Sequence, residues 1–416
     1  MLTKMFIKNL TKSRKNKALD FLIKLNIIYT NGGYPTRYYY VEEDIMKEKL
    51  LEFMKKEVVL VIATILAIIS AFVVPPSLSY FEYIDWHVLG LLLCLMTVMA
   101  GLQKCGLFDW LGEALLKKTS KVWQLCMVLV MLCFFLSMII TNDVALITFV
   151  PFAIVALEKS KQEHLLIPVV VFQTIAANLG SMLTPIGNPQ NLYLYNLSQM
   201  SLGEFILCML PNTILSFLLL IIGMLFIKGK NNEVHLSEKN DSHMDKRQIL
   251  IYLLLFTLSL LVVMKLLSLT IVLPIVLIVV FLMDRQVLKT VDYCLLFTFI
   301  SFFVFTGNLG NITIIRETLQ QFVNGQELLI GIIASQGISN VPAALLLSGF
   351  TSNYRALLAG VNIGGLGTLI ASMASLISYK ILANKYNEKK GKYFWYFTIA
   401  NIIFLVVLLI YNYQIL

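Results

Sequence analysis

The sequence predicts an all-α polytopic membrane protein built of two inverted-topology repeats, each with a re-entrant helical hairpin and a broken transmembrane helix. Three observations lead there. Of the 416 residues, 58% are hydrophobic and only 14% charged, against roughly half and about a quarter in soluble chains. Apolar runs long enough to cross a ~30 Å hydrocarbon layer recur along the chain. Polar, Gly-rich sequence interrupts these runs at two places: Thr141-Asn142-Asp143 followed by 178–191, and Ser339-Asn340-Val341-Pro342 followed by 362–368. Lipid cannot satisfy free N–H and C=O groups, so helix breaks at membrane depth persist only inside protein or beside a watery cavity. A matching pair in two halves of one chain points to a solute site.

Each element follows from hydropathy and loop charge. Residues 1–57 read as a basic N-terminal extension in the cytoplasm; no small-residue cleavage site follows the weakly apolar patch 19–29, which argues against a secretory signal. Residues 58–227 hold a first span and the first repeat. The span 58–75 is followed by a loop free of Lys and Arg (Ser77 to Asp85), then by span 87–102 and a loop with Lys104, Lys117, Lys118 and Lys121. Positive residues favour the cytoplasm, so the first loop lies outside and the second inside. Segments 122–140 and 144–157 are flanked by lysines on both sides, so they form a hairpin entering from the inside, with Thr141-Asn142-Asp143 at its tip. Residues 165–182 run outward into the break 180–191, and 205–227 return to the cytoplasmic linker 228–248.

Residues 249–412 form the second, inverted repeat with the final span. Segments 249–266 and 269–283 cross out and back, and 291–306 crosses outward. Segments 327–338 and 341–349 make a hairpin from the outside, with Ser339-Asn340 at its tip. Residues 355–379 run inward through the break 362–368, Lys-rich sequence 380–392 follows, and 393–412 cross last. Direct similarity supports the duplication: Ala100-Gly101 matches Thr306-Gly307, Asn142 matches Asn340, and Asn178, Gly180 and Thr184 match Asn362, Gly364 and Thr368 without a gap. The net charge of +9 sits in short loops, so it marks orientation and requires no nucleic-acid partner. The six cysteines read as packing residues, and the four Trp residues as an interfacial belt.

The tips and breaks carry the chemistry. A helix ending in mid-membrane leaves carbonyls unpaired and suits a cation; one beginning there leaves N–H groups unpaired and suits an anion. Asn142 and Asn340 either take part in such a site or merely cap the following helix. Asp143 is the one carboxylate placed deep in the membrane, where it would hold a cation or carry a proton; a helix-start Asp bonded to free N–H groups is the alternative. Val341 stands at its matching position, so the two tips hold different species. In 180–191, Pro185 and Pro189 remove donors, Gly180 and Gly187 permit unusual backbone angles, and Thr184, Asn188, Gln190 and Asn191 add hydrogen-bonding groups. The stretch Gly364-Gly365-Leu366-Gly367-Thr368 admits either a solute or a neighbouring helix. Lys265 reads as a snorkelling side chain. Nothing in the spacing of Gln173 and Gln336 assigns them a role. The histidines form no metal pattern, and no phosphate-cradling loop is present.

At these residues the chain resembles the ion transporter superfamily that includes arsenite permeases, sodium/proton antiporters and citrate or divalent-anion transporters, and it is similar to their citrate transporter-like domain. Thr141-Asn142-Asp143 resembles that group's hairpin tip, Thr184 to Asn191 its following loop, and Ser339 to Pro342 with Asn362 to Gly365 the second-half counterparts. The resemblance implies a secondary transporter of a small anionic solute, coupled to Na⁺ or H⁺ without a further cofactor, in the inner membrane. It also implies a scaffold, a mobile transport region with an elevator-like motion, and a homodimer. On this reading Asn142, Thr184, Asn188, Asn191, Ser339, Asn340, Asn362, Gly364, Gly365 and Thr368 bind the solute. Thr141, Asn142, Asp143, Gly180 and Gly187 hold the coupling ion, with Na⁺ at Asn142 and Asp143. In dicarboxylate symporters both tips read Ser-Asn-Thr; Asp143 and Val341 depart from that pattern. A Na⁺/H⁺ antiporter using Asp143 is the alternative. An intramembrane protease is disfavoured, since it needs paired carboxylates or a Ser–base pair.

Overall fold

The computed structural model describes residues 57–116, 119–226 and 245–415, together with 48 and 50–54. Most of the expected basic extension, Lys117 and Lys118, and linker residues 228–244 lie outside the described residues. From Val59 onward the described residues form one helical body. Its first helices are α1 (Val58–Val73), the single turn α2 (Tyr80–Tyr83), α3 (Trp86–Lys104) and α4 (Leu107–Leu116). Then come the pair α5 (Val122–Ile140) and α6 (Asn142–Lys159), the interrupted helix α7 (Leu166–Gly180) and α8 (Pro189–Ser198), and α9 (Leu202–Leu225). After α10 (Lys246–Val263) and α11 (Leu269–Asp284) the same order begins again. It runs through α12 (Tyr293–Asn311), α13 (Thr313–Val323), the pair α14 (Glu327–Ile338) and α15 (Asn340–Leu347), the interrupted helix α16 (Tyr354–Ile363) and α17 (Met373–Lys385), and α18 (Lys390–Ile415).

Among the described residues, seven helical stretches are long and apolar enough to cross a membrane: α3, α5, α9, α10, α12, α7 with its flanking turns and α18 with the turn before it. The protein is therefore an all-helical integral membrane protein. Local signals set the helix starts. Asp85 accepts from the Val88 amide at 2.9 Å to open α3, and Asp292 accepts from the Leu295 amide at 3.0 Å to open α12. Ser201 and Glu204 form a reciprocal capping box at the start of α9. Four Trp residues, Trp86, Trp110, Trp123 and Trp395, are exposed on the helical surface.

Of these seven stretches the one built on α7 is the most enclosed, buried without interruption from Val169 through Gly180. It packs against α5, α6, α9, α17 and α18. Gln173 ties the first helix pair together from this position: its Nε2 donates to Leu129 O of α5 (3.2 Å) and Phe149 O of α6 (3.1 Å). Where α7 ends, a Cβ on Gly180 would sit 2.0 Å from Phe134 O, so only glycine permits this approach to the α5 backbone. Elsewhere, α3 packs against α10 and α11, and Gly101 receives the Tyr252 ring where a Cβ would stand 2.1 Å from it. Asn212 of α9 and Asn412 of α18 bind each other through both amides, at 3.1 and 2.6 Å. Lys265 does more than reach for water: its Nζ donates to Gln199 Oε1 at 3.0 Å and lies 5.4 Å from the centre of the Tyr195 ring.

Candidate functional site

The two helix pairs meet their breaks in the same way. A single residue joins each pair, and both joints adopt a positive φ without being glycine: Thr141 at φ 74, ψ 150 and Ser339 at φ 74, ψ 154. The residue after each joint turns its backbone amide onto the neighbouring break, Asn142 N to Gly187 O at 3.1 Å and Asn340 N to Ala371 O at 2.9 Å. Each Asn side chain accepts from the next amide, Asp143 N at 2.9 Å and Val341 N at 3.0 Å. A break threonine reaches back to each pair: Thr184 Oγ1 donates to Met138 O, and Thr368 Oγ1 to Gln336 O at 3.3 Å. In both cases that carbonyl lies three residues before the joint.

The breaks also bind one another across the molecule. Asn178, in the last turn of α7, accepts from Ser372 Oγ at 3.0 Å and donates to Ser375 Oγ at 3.2 Å. Asn362, in the last turn of α16, accepts from Asn188 Nδ2 at 3.1 Å and donates to Asn191 Oδ1 at 2.7 Å. One interval in the chain separates Asn178 from Asn362, Asn188 from Ser372, Asn191 from Ser375 and Gly187 from Ala371. Each Asn therefore bonds the segment equivalent to the one that its counterpart bonds. A further contact, Asn142 Nδ2 to Asn178 Oδ1 at 3.2 Å, joins the first pair to this network.

In consequence α5, α7, α14 and α16 end, and α6, α8, α15 and α17 begin, within one hydrogen-bonded cluster. Helix ends present unpaired carbonyls and helix starts unpaired amides, each carrying a fraction of a charge. Such a junction offers partial charges of both signs without a basic side chain. Most of its polar side chains are buried: Asn142, Asn178, Asn188, Asn191, Ser339, Asn340 and Asn362. Thr141, Asp143 and Thr184 are partly exposed, and Thr368 is exposed. Among the described residues nothing donates a hydrogen bond to the Asp143 carboxylate. Its counterpart Val341 is buried and apolar, so the halves differ where charge is concerned.

The glycines of the second break receive protein neighbours. A Cβ on Gly364 would meet Ser335 Oγ at 2.7 Å, one on Gly365 would meet Asn340 Nδ2 at 3.0 Å, and Gly367, at φ 104, faces the Gln336 amide. Gln336 organises that loop, donating to Gly364 O (2.8 Å) and Leu366 O (2.9 Å) and accepting from Thr368 N (2.9 Å). Gly187 lies against the carbonyl of Ser181, 2.0 Å from where a Cβ would stand. The helix starts depart from the ends of the polar stretches in opposite directions: Gln190 and Asn191 already lie in the first turn of α8, whereas the second break runs on to Ser372.

Sequence reasoning left Asn178, Ser181, Ser372, Ser375 and Gln336 out of the site. The signal for two of them was present. Carrying the interval between Asn178 and Asn362 onto Asn188 and Asn191 lands on Ser372 and Ser375.

A family model described as citrate transporter matches residues 45–357. The chain belongs to the citrate transporter family. Relatives agree with this membership. An uncharacterized transporter of Methanocaldococcus jannaschii is 34% identical over 335 residues, covering 80% of this chain and 91% of the relative. The inner membrane protein YbiR of Escherichia coli is 32% identical over 320 residues, covering 75% of this chain and 84% of YbiR. A silicon efflux transporter of Oryza sativa is 33% identical over 129 residues, covering 31% of this chain and 26% of the relative. The chain is thus a membrane transporter, and the transporter-like features of its sequence belong to a known family.

Proposed function

We propose that this member of the family is a secondary active transporter of a small anion, a carboxylate or an oxyanion, driven by a Na⁺ or H⁺ gradient. The observation that carries the reading is the reciprocal bonding of the two breaks, with four helix starts and four helix ends in one cluster. On this reading the two halves are inverted repeats, the pairs α5–α6 and α14–α15 are re-entrant hairpins, and the N-terminus is cytoplasmic, as the Lys-rich loops suggest. The amide ends attract the solute's negative charge. Asn142, Asn340, Asn188, Asn191 and Asn362 shape the pocket with Ser339, Thr184, Gly364, Gly365 and Thr368. The coupling ion sits at the carbonyl end of α5 with Thr141, Asn142 and Asp143, on a floor made by Gly180 and Gly187. Alternating access comes from an elevator-type movement of the cluster against a scaffold, within a homodimer of the inner membrane.

A second reading, Na⁺/H⁺ exchange at Asp143, is favoured by one fact: this carboxylate has no protein donor among the described residues. A carboxylate at membrane depth without a donor is stabilised by a cation or a proton. Full-length protein in liposomes separates the readings. Uptake of citrate, a dicarboxylate, sulfate, phosphate or arsenite that follows an imposed Na⁺ or pH gradient and vanishes in Asn142→Ala supports anion transport. Na⁺ movement against H⁺ with none of these solutes present supports the antiporter instead. If neither occurs, both fail.

A further inference from the structure

A cavity of about 620 Å³ lies away from the broken-helix cluster, at the end of the molecule that loop charge assigns to the outside. One wall is α12, through Phe303, Thr306 and Gly310; facing it are Tyr193 of α8 and the end of the second helix pair, Ser348 to Ser352. The volume falls within the range of small-molecule sites. Its chemistry is specific. Not one lining residue is an Asp, Glu, Lys, Arg or His, and the lining combines tyrosine and phenylalanine rings with hydroxyl and amide groups. Tyr193 and Ser348 bond to each other through their hydroxyls at 2.8 Å, and these two oxygens retain capacity to accept from a guest.

One negative charge stands directly behind the lining. The Glu327 carboxylate lies behind Thr351, whose Oγ1 donates to it at 2.9 Å. An anion here would lose hydration, gain no counter-charge and face that carboxylate. An uncharged molecule would lose little and could stack on the rings while bonding the hydroxyls.

We propose that this cavity is a second binding site, separate from the broken-helix cluster, for an uncharged, hydroxylated molecule containing a ring. The site touches elements on both sides of a close seam, for a Cβ on Gly349 would stand 2.7 Å from the Thr306 methyl. A guest wedged there therefore binds best to the arrangement that leaves the cavity open, and it shifts the molecule toward that arrangement. The inference does not depend on which solute crosses the membrane.

The test uses full-length protein in lipid nanodiscs free of sugar-headed detergent. Phenyl β-D-glucoside is the neutral probe, and phenyl β-D-glucuronide is its carboxylate-bearing analogue. The glucoside is expected to raise the melting temperature with saturable concentration dependence, and the glucuronide to bind roughly tenfold more weakly. Gly310 offers a block, because it lines the cavity and a Cβ there meets nothing within 4 Å, so Gly310→Leu adds bulk to the cavity wall from an uncrowded backbone position. The same is true of Gly203, outside the cavity, and Gly203→Leu controls for added bulk. Loss of the glucoside shift in Gly310→Leu but not in Gly203→Leu supports the site. No shift in the wild type, an equal shift with the glucuronide, or a shift retained in Gly310→Leu overturns it.

Discussion

Thr141 and Ser339 hold positive φ with a Cβ, which costs about 1–3 kcal/mol per residue and is worst for a β-branched side chain. The strain recurs with nearly the same angles in both pairs. Thr141→Gly should therefore raise the melting temperature of the purified protein, with Ser339→Gly acting in the same direction. If the two hydroxyls serve only folding, uptake would survive; the transport reading expects it to fall in Thr141→Gly. Asn178 poses the opposite case. It joins Asn142, Ser372 and Ser375, and hydrogen bonds between membrane helices contribute about 0.6–2 kcal/mol each. Asn178→Ala should lower the melting temperature by more than Ser372→Ala does, since the latter removes only one of the three bonds. At Asp143 the readout is coupling: Asp143→Asn should abolish the dependence of uptake on the ion gradient while leaving stability close to wild type. Gradient-dependent uptake in that variant would remove Asp143 from the coupling site.

At the scale of elements, the reciprocal amide pair between Asn212 and Asn412 fastens α9 to α18. Removing one partner strands the other in an apolar setting, whereas removing both leaves two apolar helices in contact. Asn212→Leu should therefore destabilise more than the double variant with Asn412→Leu, as read by thermal melting in detergent. A second contact joins α6 to α17 beyond the apolar run 144–157, where Lys385 Nζ lies 2.7 Å from the Glu158 carboxylate and the Tyr386 hydroxyl also donates to it. The Lys385 bond first, and the Tyr386 bond after it, hold the Glu158 carboxyl below the usual carboxylate range. A depressed carboxylate adds stability above its ordinary pKa and loses it as pH falls through the folded value. The melting difference between wild type and Glu158→Gln should thus be present at neutral pH and shrink in acid; a constant difference would contradict the pairing. The helix pairs and breaks were legible at this scale because Asn, Gly and Pro within apolar runs have few explanations. Their bonding partners were not legible, since Ser372 and Ser375 are ordinary residues until Asn178 meets them.

At the scale of the molecule, two passes through one order of elements build a single junction. No basic side chain stands among its named polar groups, so helix starts must supply its positive potential. Screening by salt should then matter little to solute affinity, because enclosed partial charges are shielded less than exposed ones. The proposed inverted arrangement makes its own prediction: cysteines at Lys104 and Lys289 should label from the side opposite to cysteines at Ser77 and Ser352. Labelling of all four from one face would contradict it. The second cavity could not be foreseen, because its walls come from segments far apart in the chain whose residues carry no shared pattern.

By itself the sequence determined that this chain is helical, lies in a membrane, repeats its plan and belongs to a family of membrane transporters. Hydropathy and misplaced polarity are local properties, and lipid punishes a stray polar group wherever it stands. Only the tertiary structure decided which polar groups satisfy one another, that the second-break glycines receive neighbouring side chains, and that Asp143 receives no donor among the described residues. Those facts depend on distances between parts that the chain order keeps apart, and packing alone sets such distances.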